Sequence, residues 1–322
     1  MNLLVKLLQK KMFLAGNSYQ PSKEPGQSAF GSGHTLQNDV AYDTEYPNSF
    51  LDIYRCKGEA AATVFFIHGG GYTWGDKMGG DPNASARENL EGYFEYFLDA
   101  GYDVVSANYA LAPEHQYPVP VIQLTRALRF LRENGNSLGI GTDRLVLCGG
   151  SAGAQLAGQL VCLQLNPALS ERMGIAPVLR KEQIKAAVLN SSLLDCARFR
   201  DVGDPLWGML FHRCGTAYFG TRKYPSDPRM AETDVIENMT ADWPPVYISD
   251  GNKATFTEQA KELARRAGEL GVPFTLNLYD RETATLPHGY ETGDSPQAED
   301  NRARQLAFLQ SALSGQGTES AG

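Results

Sequence analysis

Short apolar runs alternate with amphipathic stretches of helical period from about residue 36 to residue 313, and no other feature limits the possible folds so strongly. Residues 62–67 (ATVFFI) form an almost continuous apolar run, as a strand covered on both faces requires. Residues 49–55 (SFLDIYR) alternate apolar and polar and read as a half-exposed edge strand. Further strands are expected at 102–107, 144–148, 185–189, 246–249 and 274–279. Helices are expected between and after them, at 86–100, 119–132, 152–165, 256–270 and 298–313. Pro118 and Pro120 suit the first turn of the second of these. The rhythm predicts an α/β fold with a mostly parallel central sheet flanked by helices. One stretch breaks it. Residues 197–244 separate two strands by far more than a crossover helix needs, and carry Trp207, Phe211, Tyr218 and Phe219. A long insertion of this kind reads as a lid.

Composition narrows the partners. The 322 residues are 42% hydrophobic and 20% charged, with a formal net charge of −8, which argues against nucleic acid or an anionic membrane as a main partner. The cysteines, Cys56, Cys148, Cys162, Cys196 and Cys214, are odd in number and form no CxxC pair, so a reduced, cytoplasmic protein is expected. In residues 1–14 the lysines Lys6, Lys10 and Lys11 interrupt the apolar run, while Leu3, Leu4, Leu7 and Leu8 have helical spacing. This reads as a short amphipathic helix rather than a signal peptide. No apolar run reaches transmembrane length.

Two glycine-rich turns carry the chemistry. Gly149-Gly150-Ser151-Ala152-Gly153 lies between the strand at 144–148 and the helix at 152–165, the context that a G-x-S-x-G nucleophile turn requires. His68-Gly69-Gly70-Gly71-Tyr72 follows the strand at 62–67. Its backbone can approach a substrate carbonyl, and the amides of Gly70, Gly71 and Ala152 are the expected oxyanion donors. His68 is expected to brace this loop. A phosphate-binding loop is disfavoured, since no Gly-Lys-Ser/Thr ending follows.

With these turns the chain resembles the hormone-sensitive-lipase-like family of α/β-hydrolases. Asn108-Tyr109-Ala110-Leu111-Ala112-Pro113-Glu114 looks like that family's Y-R-L-A-P-E signature, with Ala110 in place of Arg. Leu286-Pro287-His288-Gly289-Tyr290 looks like its P-H-G-F segment around the catalytic histidine. The four segments keep the family's order and span residues 62 to about 290. The resemblance implies a catalytic domain of residues 36–196 and 245–314, capped by an N-terminal segment, 1–35, and the insertion, 197–244. Residues 315–322 are expected to be a disordered tail.

His288 is the expected general base, because a loop after the last strand can bring its imidazole over Ser151. His34, His115 and His212 fit that task less well. The acid is where the chain departs from the family, whose usual acid position falls on Ala254 here. Asp250, at the end of the same strand, is the favoured replacement. Glu258, Asp195 and Asp280 are the alternatives, and a dyad without an acid stays open. The expected function is hydrolysis of a small or medium carboxylic ester through an acyl-enzyme on Ser151, without metal or organic cofactor. The size expectation rests on the lack of any sign of an exposed apolar docking helix. Tyr72, Trp207, Phe211 and Tyr218 are candidates for lining the substrate pocket. A small-molecule ester is the expected partner, with no nucleic acid and no integral-membrane segment, and a homodimer stays open. An amidase or formamidase would use the same machinery. A peptidase is disfavoured because the N-terminal region leaves no room for a β-propeller, and a non-catalytic binding protein is the reading from another class.

Overall fold

Strand side chains alternate between two apolar layers, and this alternation builds the centre of the protein. The computed structural model describes residues 26–78 and 90–315. Among these, one nine-stranded sheet has the order β1-β2-β3-β5-β4-β6-β7-β8-β9. The strands are β1 (Gln27–Phe30), β2 (His34–Ala41), β3 (Phe50–Arg55), β4 (Thr63–Ile67), β5 (Asp103–Ala107), β6 (Leu145–Gly150), β7 (Ile184–Asn190), β8 (Val246–Ser249) and β9 (Phe274–Asn277). β1, β2 and β3 pair antiparallel, as do β3 and β5, whereas β5, β4, β6, β7, β8 and β9 run parallel to one another.

The helices are α1 (Glu91–Asp99), α2 (Val119–Asn134), α3 (Ala152–Leu165), α4 (Pro167–Met173), α5 (Pro205–Phe219), α6 (Met230–Thr233), α7 (Val235–Asn238), α8 (Thr257–Leu270) and α9 (Pro296–Ser314). Phe65, Ile67, Val105, Leu147 and Ile248 point to the layer that holds α2, α3 and α8. Val64, Phe66, Val104, Val146 and Tyr247 point to the layer that holds α1 and α9. This period of two, apolar on both faces, is what a parallel sheet buried on both sides demands. α3 is buried along its whole length. Its polar Gln155 and Gln159 are satisfied there: Gln155 accepts from Tyr72 at 2.8 Å and donates to the Thr233 carbonyl at 2.9 Å, and Gln159 donates to the Glu232 carbonyl at 2.9 Å.

The sheet corrects the reading of residues 49–55 as an edge strand. β3 is interior, flanked by β2 and β5, and Asp52 is fully buried. A polar position in an alternating strand implied solvent, but here it faces an ion cluster. The Lys77 ammonium lies 2.8 Å from Asp39 and 3.1 Å from Asp52, and all three side chains are buried. The sheet also begins inside the segment expected to belong to the cap, since β1 and β2 start before residue 36. The expected helix at 1–14 and residues 316–322 of the expected tail lie outside the described residues, as do residues 86–89 of the helix expected at 86–100. All five cysteines are buried and free. Among the described residues no helix is long and apolar enough to cross a membrane.

Lys77 neutralises two carboxylates that have no water to turn to. Lys77→Met is therefore expected to lower unfolding free energy by about 3–5 kcal/mol, because it strands a buried charge. Urea denaturation of the purified variant measures it; a loss below about 1 kcal/mol, the surface ion-pair range, would contradict the account.

Candidate active site

The site is assembled where the parallel strands end. β6 runs directly into α3 through Ser151, which takes φ 57° and ψ −120°, a backbone region that residues with a Cβ avoid. The strain is held by the Ser151 amide donating to the Asn190 carbonyl at 2.9 Å, and by the Ala154 and Gln155 amides donating to the Ser151 carbonyl. Gly153 permits the turn to sit against β4. A Cβ there would lie 2.0 Å from the Ile67 carbonyl oxygen, inside any tolerable contact. The serine hydroxyl is thereby lifted off the sheet edge at the N-terminus of α3.

The glycine loop after β4 lies beside it. Gly70 has φ 90°, and a Cβ there would meet the Trp74 carbonyl oxygen at 2.1 Å, so the tight turn needs glycine. Gly69, Gly70, Gly71, Ser151 and His288 line one cleft of about 250 Å³. Among the described residues the amides of Gly70, Gly71 and Ala152 donate to no other backbone group. The 108–114 segment braces this loop from below. Tyr109 stacks on the His68 ring at 4.2 Å and donates to the His68 and Gly69 carbonyls. The Ala112 amide donates to the Tyr72 carbonyl, and Asn108 accepts from the Lys77 amide. His68 Nδ1 lies 2.9 Å from the Gly69 oxygen, and burial holds its pKa down at about 4.

His288 Nε2 lies 2.7 Å from Ser151 Oγ. Its ring packs edge-on between Phe211, 5.2 Å away, and Phe256, 5.5 Å away. This burial lowers its pKa from 6.5 to about 4, because the charged imidazolium loses its water. The direct His288–Asp250 bond expected from the sequence is not formed. His288 Nδ1 instead contacts Thr255 Oγ1 at 2.9 Å, and that hydroxyl donates a short bond to Asp250 Oδ1. Asp250 directly follows β8, fully buried and without a hydrogen bond to the ring, and its Oδ1 also accepts from the Gly251 amide at 2.8 Å. Burial raises its pKa well above the usual carboxylate range; the nearby Glu291 charge adds to this, while hydrogen bonds from Thr255 and backbone amides oppose it.

The other acids are elsewhere. Glu258 is exposed and paired with Lys261, Asp280 is exposed, and Asp195 binds Arg198 and caps a short turn. Ala254, at the family's acid position, keeps a left-handed φ of 53°. His34, His115 and His212 contact Asp99, Tyr46 and Tyr224.

Two residues escaped the sequence reading. Thr255 belongs to no motif. Glu291, three residues after His288, is buried and accepts from the Ser191 amide at 2.8 Å and the Ser191 hydroxyl at 2.7 Å. Ser191 Oγ in turn accepts from the Gly289 amide at 2.7 Å, so this carboxylate fastens the loop that carries His288. A glutamate so near the histidine after a polar loop was the available signal.

The four pocket candidates divide. Trp207 and Phe211 line the cleft, with Trp74, Leu90 and Leu210. Tyr72 and Tyr218 do not. They stack on each other at 3.8 Å, fully buried behind the glycine loop. Trp207, Phe211 and Tyr218 share one side of α5, but an α-helix rises about 1.5 Å per residue, so Tyr218 sits roughly 16 Å along from Trp207 and past the opening. α5 also corrects the expectation of no exposed apolar helix: Leu206, Trp207 and Met209 are 68%, 46% and 46% exposed. A larger cavity of about 500 Å³, around Arg55, Asp103 and Arg144, lies at the opposite strand ends. Ligands of open parallel sheets bind at the carboxyl ends, where Ser151 is. Among the described residues no group of three His, Cys, Asp or Glu side chains is placed to hold a metal.

The comparisons with known proteins agree with this fold. A family model described as alpha/beta hydrolase fold matches residues 64–291. The chain is 28% identical over 266 residues to Esterase LipI of Mycobacterium tuberculosis (strain ATCC 25618 / H37Rv), a match covering 81% of this chain and 76% of that protein. It is 22% identical over 256 residues to the probable carboxylic ester hydrolase LipM of the same strain, covering 75% of this chain and 56% of LipM, so it spans little more than half of that relative. The crystal structure of esterase B from Lactobacillus rhamnosis superposes with a TM-score of 0.72 at 20% identity, over 90% of this chain and 89% of that one, a likeness of fold.

The division within α5 can be measured. Trp207→Ala should leave stability nearly unchanged and alter preference among p-nitrophenyl esters of different acyl length. Tyr218→Ala should lower stability by about 3–5 kcal/mol, as truncation of a buried aromatic does, with the chain-length preference intact. The opposite pattern would place Tyr218 in the pocket.

Proposed function

The chain belongs to the hormone-sensitive-lipase-like family of α/β-hydrolases, and we propose that it is a serine carboxylesterase for small or medium esters. The observation that carries this reading is the 2.7 Å contact between Ser151 Oγ and His288 Nε2 at the mouth of a cleft lined by glycine backbone. Ser151 attacks the ester carbonyl as His288 takes its proton. The amides of Gly70, Gly71 and Ala152 stabilise the tetrahedral oxyanion. The imidazolium returns the proton to the departing alcohol, and water then hydrolyses the acyl-enzyme by the same route. Asp250 enters this scheme as an acid that supports His288 from behind Thr255.

Three features favour a small or medium ester. The cleft of about 250 Å³ is smaller than a typical drug-sized site. Trp207, Leu210 and Phe211 give it an apolar wall, which we assign to a cap formed by residues 197–244. The base, finally, is held neutral without a carboxylate touching it. An amide leaves only with strong help from the imidazolium, whereas an alkoxide needs less, so this arrangement favours esters over the amidase reading. A formed Ser151–His288 contact is what a purely binding protein would have no need to keep.

Ser151→Ala should abolish labelling by a fluorophosphonate probe and reduce p-nitrophenyl butyrate hydrolysis by at least on the order of 10⁴-fold while the protein stays folded. Activity within a few-fold of wild type would remove Ser151 from the mechanism. The pH profile supplies an independent check. The sequence alone places the ionisation of His288 near neutrality. Burial lowers it to about 4, and only the neutral ring accepts the serine proton. kcat/KM should therefore rise with pH through an ionisation well below 6.5 and stay level through neutrality. Phe211→Gln, which admits water to the ring, should move this limb upward; a wild-type limb at or above 6.5 would contradict the burial argument.

A further inference from the structure

We propose that Thr255 is the positioning residue for His288, and that Asp250 acts on the imidazole only through the Thr255 hydroxyl. The inference rests on the serine-hydrolase reading above and names a part of its machinery that no motif marks. His288 Nδ1 contacts Thr255 Oγ1 at 2.9 Å, and the hydroxyl hydrogen goes to Asp250 Oδ1. A threonine hydroxyl has one proton and can accept another. When it donates to Asp250 it must accept from His288, which fixes the hydrogen on Nδ1. Nε2 is then bare and faces Ser151 at 2.7 Å, in the state a general base needs. The direction of the whole chain is set at its far end, by Asp250 Oδ1, which already accepts from the Gly251 amide.

The rest of the turn is built to hold this geometry. The Asn252 and Lys253 amides both donate to the Leu286 carbonyl, at 2.9 and 3.0 Å. The Asn252 side chain donates to the Tyr279 and Ala284 carbonyls and accepts from the Leu286 amide at 3.0 Å. The segment carrying Thr255 and the segment carrying His288 are thus stitched together just ahead of the hydroxyl. Thr255 is buried and does not line the cleft, so it contacts the imidazole and not the substrate. Its β-branched side chain has few rotamers, which suits a hydroxyl that must point one way.

The arrangement makes an unusual demand on variants. In a directly bonded triad, Asp→Asn costs on the order of 10⁴-fold because the amide holds the wrong imidazole tautomer. Here the side-chain oxygen left by Asp250→Asn can still accept from both the Gly251 amide and the Thr255 hydroxyl. That substitution should therefore cost far less, and less than Thr255→Val, which leaves Nδ1–H buried without an acceptor and should lower kcat about 10- to 100-fold with KM little changed. Thr255→Ser keeps the hydroxyl and should stay within a few-fold of wild type. In the Thr255→Val background, Asp250→Asn should have no further effect.

Steady-state kinetics of these four variants with p-nitrophenyl butyrate, and ¹⁵N NMR of the wild-type His288 ring, test the proposal. Support is Thr255→Ser close to wild type, Thr255→Val impaired in kcat, a silent second substitution, and a ring protonated on Nδ1 without the far-downfield proton of a direct carboxylate bond. Equal losses for Ser and Val, or a full Asp250→Asn effect in the Thr255→Val background, would overturn it, as would a direct carboxylate signature in the NMR. The NMR measurement reads the Thr255–His288 bond in the folded wild-type chain even if Thr255→Val does not fold. It also reads it if the chain fails to label with fluorophosphonate, in which case the esterase reading falls and the bond is judged on its own.

Discussion

One backbone constraint organises the molecule: a serine held at positive φ where β6 becomes α3. That conformation survives only in a setting that over-determines it. The Asn190 carbonyl of β7 takes the serine amide, and α3 is packed on all sides so that its first turn cannot relax. Gly153 lets the turn touch the end of β4, which brings the glycine loop and the serine into one cleft. The central strands, the buried helix and the loop are therefore arranged around a single strained residue, and the chemistry proposed for the site draws on all three.

The second organising effect is the apolar screening of the half-buried imidazole. Phe211 comes from α5 and Phe256 from the turn before α8, so two separate parts of the chain close on His288. Desolvation keeps the ring neutral, and a hydroxyl rather than an ion orients it. Behind it lie two buried carboxylates, Asp250 and Glu291, each with its own hydroxyl donor, Thr255 and Ser191. One sets the ring and the other sets the loop. Burial raises the pKa of both, and each is hydrogen-bonded, a condition that a buried polar group must meet to persist.

Much of this was legible in the sequence, and the physical reasons for the rest are specific. Strand runs such as 62–67 announce themselves because both faces are apolar, and the two glycine turns do so because few other residues fit such backbone. β3 was misplaced at the edge because Asp52 looks like a solvent-facing position until Lys77 and Asp39, distant in sequence, are seen to bury it. β1 and β2 carry too few apolar residues to stand out. Tyr218 was read as a pocket residue since aromatic content shows that an insertion packs, not which part of it overhangs an opening. Thr255 was invisible because its role comes from a turn whose two sides meet only in three dimensions.

The buried Lys77 cluster has a consequence for how such chains can be recombined. Lys77 follows the glycine loop, Asp39 belongs to β2 and Asp52 to β3, so the antiparallel half of the sheet is bolted by charge to the loop beside the nucleophile. A chimera that exchanges the N-terminal strands with those of a relative would break this set unless all three residues travel together. Grafted alone, either half would carry an uncompensated ion into the interior and disturb the neighbouring loop. The natural seam for swapping modules therefore lies after residue 77 rather than at the apparent boundary ahead of β4.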